Sequence, residues 1–197
     1  MSDRVFLATR KNYSTEMKSH VIRYGAIVGV IISVYIALLY TLGIEVFANW
    51  WYSVIMYPIS IGLICYFTIQ LRNKHESEPF HFKQTFVVLL SMLMLATLVS
   101  TLWNIVLFNV IDTELPKELS ERILEETEST MAKWGAPEDV VKETLKGMRD
   151  LPSQFKPGAQ LLSWLKGGLF MAILSVVCAS FVKRKKPVNP FVAKSAE

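Results

Sequence analysis

Few side chains in this 197-residue chain could carry chemistry, and they are scattered. His75, Glu76, Glu78 and His81 share a short polar loop and suggest a metal site. Zinc sites usually recruit four ligands at tighter loop or helical spacings. The group reads instead as a solvated, charge-mixed loop, and neither metal nor cofactor is expected. Lys166 is the only charge inside a strongly apolar stretch, with Glu45 and Asp112 as candidate ion-pair partners at the same membrane boundary. Asp112, Glu114 and Lys166 are the one cluster that could serve an enzyme, and ordinary boundary charges explain them. Catalysis needs a nucleophile, base or metal placed together. No His/Asp/Ser or Cys/His grouping is present, so no enzyme is expected. Cys65 and Cys178 lie in apolar surroundings and read as small packing residues.

The elements that would position these groups are visible in where charge is missing. Residues 24–44, 46–71 and 84–111 contain no Asp, Glu, Lys or Arg, and 161–182 contains only Lys166. Each exceeds the ~18–20 apolar residues that mark a spanning helix. A soluble bundle would show polar outer faces at helical period, and these stretches are apolar all round. The predicted fold is all-α: a polytopic membrane protein with four transmembrane helices, at about 24–43, 51–71, 85–110 and 161–182. An extracytoplasmic acidic αα-hairpin, 111–160, joins the third to the fourth. The transmembrane domain is thus 24–182, between an N-terminal tail 1–23 and a basic C-terminal tail 183–197.

Charge sets the orientation. The net charge of +4 averages opposed pools. Segment 1–23 has five basic residues against two acids, 72–83 three against two, and 183–197 five against one, whereas 111–160 has seven against eleven. Lys and Arg in short flanks stay on the cytoplasmic side. Both termini and the 72–83 loop are therefore predicted to be cytoplasmic, with the acidic segment outside. No basic face with interleaved aromatics occurs outside the membrane, which argues against nucleic-acid binding.

The spans differ in character. The first carries Gly25, Gly29 and Ser33, followed by Ala37, one small residue per four positions; the fourth carries Gly168, Ala172, Ser175 and Ala179. Such ridges let helices approach closely. The second contains Pro58, which predicts a kink. The third presents Thr97, Ser100, Thr101 and Asn104 on one face, suited to interhelical hydrogen bonds or to a small polar pocket. A helix is expected to start at Ser14 or Thr15 and run into the first span. In the insert, one helix should run from Pro116 to Trp134 with Gly135 as its stop, with Trp134 on its apolar face. A second should run from Pro137 to about Arg149, ended by Leu151-Pro152, with Pro157-Gly158 as the turn back into the membrane.

Arg23-Tyr24-Gly25 opens the first span, Phe82-Lys83-Gln84-Thr85-Phe86 the third, and Ile111-Asp112-Thr113-Glu114 the insert, and a Lys/Arg run follows the last span. On these elements, over roughly 18–186, the chain resembles the bacterial (Bacteroidota) membrane-protein family called domain of unknown function 4199. Thr113 departs from the proline expected after the aspartate. The resemblance implies four spans in the inner membrane and supplies no activity, substrate or catalytic residue. The reading that remains is a structural or interaction component of a membrane assembly. Its partners would be the bilayer and a second copy or another membrane protein, met through the small-residue ridges or the outer hairpin. The alternative is a small oligomeric transporter or channel subunit, which usually keeps an acid or base at mid-membrane; none is found there.

Overall fold

The computed structural model describes residues 2–74, 81–148 and 150–183, which are helical almost throughout, with no strand among them. His75, Glu76, Glu78 and the Lys/Arg run after Lys183 lie outside the described residues. Four helices are long and apolar enough to cross a membrane, with spanning segments Thr15–Thr41, Val54–Lys74, Phe82–Ile111 and Pro157–Val182. The chain is a multi-pass membrane protein.

Helix α1, Ser2–Thr41, begins well before the expected start at Ser14 or Thr15. No proline, and no glycine before Gly25, interrupts this sequence, so helix once nucleated propagates. It ends at Gly43, whose φ of 103° lies where a side chain would be strained. The next segment is the short helix α2, Ile44–Ala48. Helix α3, Trp50–Lys74, stays helical across Pro58. Helix α4, Phe82–Val106, continues into a π-helical turn, Leu107–Ile111. The combined span is 30 residues, about 45 Å at ~1.5 Å per residue. It outreaches the ~30 Å hydrocarbon core.

Helix α4 is the centre of the bundle, in contact with α1, α3 and the last helix, α8 (Pro157–Val182). Val28 from α1, Ile64 and Leu71 from α3, and Ala179 from α8 are buried with Val88, Leu89 and Met92 of α4. Between lipid-solvated helices the hydrophobic effect supplies little drive, so close packing and hydrogen bonds must hold them.

The insert contains α5 (Leu115–Lys133), α6 (Glu138–Gly147) and α7 (Leu151–Gln154). Leu151-Pro152 was expected only to break the preceding helix. It starts α7 instead, because proline is well suited to a first helical turn. Likewise Pro157 already opens α8, four residues before the predicted span. A second apolar cluster seats the insert on the bundle: Leu115 and Leu119 of α5 are buried with Ala48, Leu107 and Phe108. Phe108 makes edge contacts with Phe47 at 6.2 Å and Phe155 at 4.8 Å. Helix α6 packs on α5, burying Val141.

Candidate functional site

Both small-residue ridges are used within the chain. A Cβ at Gly29 would lie 2.6 Å from Val99 Cβ and 2.8 Å from the Ala96 carbonyl, and one at Gly25 would lie 3.1 Å from Leu95 Cδ2. The α1 backbone therefore lies directly against α4. The Ser33 hydroxyl donates to the Gly29 carbonyl at 2.8 Å. On α8, Gly168 faces Met94 of α4, Ala172 is half-buried, and Ser175 and Ala179 are fully buried. Gly25, Gly29, Ser175 and Ala179 thus pack within the chain, whereas Ser33 and Ala37 line an open apolar groove beside Val30 and Val34.

The polar stripe of α4 is packed against α8. Thr97 Oγ1 donates to the Leu93 carbonyl at 2.8 Å and accepts from Trp164 Nε1 at 3.2 Å. The same indole N–H also points at the Met94 carbonyl, 3.3 Å away. Ser100 Oγ donates to the Thr97 carbonyl, 3.0 Å. Thr101 and Asn104, on the following turn, are half-buried. In hydrocarbon these protons must be satisfied inside the protein. The Thr97 and Ser100 hydroxyls turn back onto α4 itself, and Trp164 and Met171 fill the space beside Thr97.

At the insert end of the bundle the expected ion pair of Lys166 with Glu45 or Asp112 does not form. Glu45 pairs with Arg122 at 3.4 Å, which also holds Glu125 at 2.9 Å. Asp112 Oδ2 accepts from the Tyr40 hydroxyl at 3.0 Å. Its Oδ1 accepts from the backbone N–H groups of Glu114 and Leu115, at 3.2 and 3.0 Å, which closes the first turn of α5. The reason is depth. Because α8 starts at Pro157, Lys166 lies nine residues in, about 13 Å at ~1.5 Å per residue. It is exposed. Sixteen residues, or ~24 Å, separate it from Val182, so its stem can reach the far edge of a ~30 Å core.

Sequence reasoning missed Tyr40, Asn109 and Arg122. Asn109 Nδ2 donates to the Phe155 carbonyl at 3.1 Å and Gln160 Nε2 to the same oxygen at 2.7 Å, which ties the π turn to the start of α8. Arg122 is held above the ordinary guanidinium pKa, first by its hydrogen bond to Glu125 and then, against desolvation, by the charge of Glu45. One signal was available: Asn109 and Asp112 stand three residues apart at the end of an otherwise apolar span.

A second polar constellation lies at the opposite end. Glu16, Ser19, His20, Arg23 and Tyr24 of α1 and Gln70, Asn73 and Lys74 of α3 line a groove of ≈ 590 Å³. Its floor is aromatic: the His20 and Tyr24 rings are 4.2 Å apart, and Tyr24 lies 4.4 Å from Phe67. His20 Nε2 must carry the proton, since it lies 2.9 Å from the Phe67 carbonyl, which can only accept. Lys74 pairs with Glu16 at 3.2 Å. The Arg23 guanidinium lies over the Tyr24 ring, 5.6 Å from its centroid. The legible signal was spacing: 16, 19, 20 and 23 form one helical face, as do 70, 73 and 74. Mid-bundle, Cys65 and Cys178 come together across α3 and α8. Among the described residues no three His, Cys, Asp or Glu side chains gather as metal ligands would.

No curated protein and no solved structure matches this chain. The match is to a family: residues 23–184 fit the model described as "Protein of unknown function (DUF4199)", and the chain belongs to that family.

Proposed function

We propose that the protein is a non-catalytic interaction component of a membrane assembly, sitting in the inner membrane with both termini cytoplasmic. The insert is its docking element on the outer side. The observation that carries this reading is Trp134. It was expected on the apolar face of α5 and instead stands 81% exposed where α5 ends. Two backbone bonds fix that end, Gly135 N–H to the Ala132 carbonyl at 3.0 Å and Ala136 N–H to the Met131 carbonyl at 3.0 Å, with Gly135 at φ 73°. A large aromatic on a fixed turn loses little entropy on binding, and tryptophan is enriched among residues that dominate interfaces. The glycines of the small-residue ridges are taken up by α4 within the chain, so the insert is the better candidate surface for a protein partner.

Purification of the full chain in mild detergent tests the proposal. A second protein retained in stoichiometric amount, and lost with Trp134→Ala, is the expected result. A homo-oligomeric ring without a second protein, unchanged by Trp134→Ala, overturns it in favour of a channel subunit.

A further inference from the structure

We propose that the groove between α1 and α3, at the end of the bundle away from the insert, binds the phosphodiester headgroup of an anionic phospholipid, with Arg23 as its main contact. Depth is the first argument. Eighteen residues separate Arg23 from Thr41 and twenty separate Lys74 from Val54, about 27 and 30 Å at ~1.5 Å per residue. With the other ends of these spans at one boundary of a ~30 Å core, Arg23 and Lys74 fall at the opposite headgroup level. The inference holds for either orientation of the chain.

Charge is the second argument. Lys74 and Glu16 neutralise one another at 3.2 Å, and Arg23 forms no ion pair among the described residues. Among the described residues that line it, Arg23 and Lys74 against Glu16, the groove therefore carries one net positive charge, which a single phosphodiester cancels. A headgroup that adds its own ammonium restores the excess. The match is thus to a phosphatidylglycerol-type lipid rather than a phosphatidylethanolamine.

Geometry is the third. Guanidinium is planar and donates in a fork that fits two phosphate oxygens. The Tyr24 ring beneath Arg23 restrains that plane, and Tyr24 is itself held between His20 and Phe67. Ser19, one turn earlier on the same face, adds a hydroxyl to the groove. The Arg23-Tyr24-Gly25 triplet then has a division of labour. Gly25 packs α1 on α4, Tyr24 makes the floor, and Arg23 meets the lipid.

Native mass spectrometry of the full chain in detergent, titrated with phosphatidylglycerol or phosphatidylethanolamine of matched acyl chains, tests this. One phosphatidylglycerol should bind ~5-fold or more tightly than phosphatidylethanolamine, the effect of about one interfacial cation. Arg23→Gln should abolish that preference and Arg23→Lys retain part of it. Lys146→Gln, on the exposed insert helix, should leave it intact. Inorganic phosphate in large excess should not displace the lipid. Equal affinity for the two lipids, an unaltered preference in Arg23→Gln, or displacement by phosphate would each overturn the assignment.

Discussion

Replacing Gly29 by alanine should loosen the bundle more than the same change at any other glycine within a spanning helix. The new Cβ would meet Val99 Cβ at 2.6 Å and the Ala96 carbonyl oxygen at 2.8 Å. Neither is the far end of a flexible side chain, so α1 must move off α4, by roughly 1 Å, to restore van der Waals distance. A gap of 0.5–1 Å forfeits about a quarter to a half of each contact it opens, and overpacking of this kind costs ~1–3 kcal/mol. Alanine returns up to ~1 kcal/mol of helix propensity. The expected net loss for Gly29→Ala is thus ~1–2 kcal/mol. Gly25→Ala, with its closest contact at 3.1 Å, should fall near zero. Gly168→Ala meets only the flexible end of Met94 at 3.4 Å, and Gly62 has nothing within 4 Å. Both should be neutral or gain up to ~1 kcal/mol. Unfolding by SDS in mixed micelles, followed by tryptophan fluorescence, ranks the four variants. Wild-type stability in Gly29→Ala, or an equal loss in Gly62→Ala, would refute the packing argument.

The same assay checks five further changes. Tyr40→Phe removes the hydrogen bond to the Asp112 carboxylate and should lower stability. Asp112→Ala also frees the Glu114 and Leu115 N–H groups and should cost more, with the pair of changes less than additive. Trp164→Phe loses the indole donor to Thr97 and Met94 and should cost ~0.6–1.7 kcal/mol. Ser175→Ala removes a fully buried hydroxyl that has no hydrogen-bond partner among the described residues and should be neutral or stabilising by ~1 kcal/mol. Lys166→Arg keeps the long cationic stem that reaches the core edge and should shift stability by no more than ~0.5 kcal/mol; a large loss would refute that explanation of Lys166.

The spans were legible because depth is written in composition: a run without charge longer than the bilayer has one stable place to lie. Azimuth is not written that way. Gly25, Gly29 and Gly168 announce close approach by their spacing, yet nothing in the spacing says that the helix approached is α4 in each case. That follows from α4 being the helix against which both α1 and α8 pack most extensively. Lys166 was assigned partners from depth and sign, and a start of α8 four residues earlier than predicted was enough to displace it. Glu45 could be paired only once the turn of α5 brought Arg122 across 77 positions of sequence.

The two ends of the bundle differ for the same reason. At the insert end, polar groups are consumed in joining elements: Asp112 closes α5, Asn109 and Gln160 hold Phe155, and Glu45 holds Arg122. Removing any of them should register as stability. At the other end, Arg23 is stacked but carries no ion pair among the described residues, and its removal should register in binding while stability stays near wild type. A site built to hold a ligand leaves charge available, whereas a site built to hold the fold uses it up. Arg23→Gln and Asp112→Ala, compared in both lipid binding and SDS unfolding, separate the two roles. Arg23→Gln should change only the first and Asp112→Ala only the second.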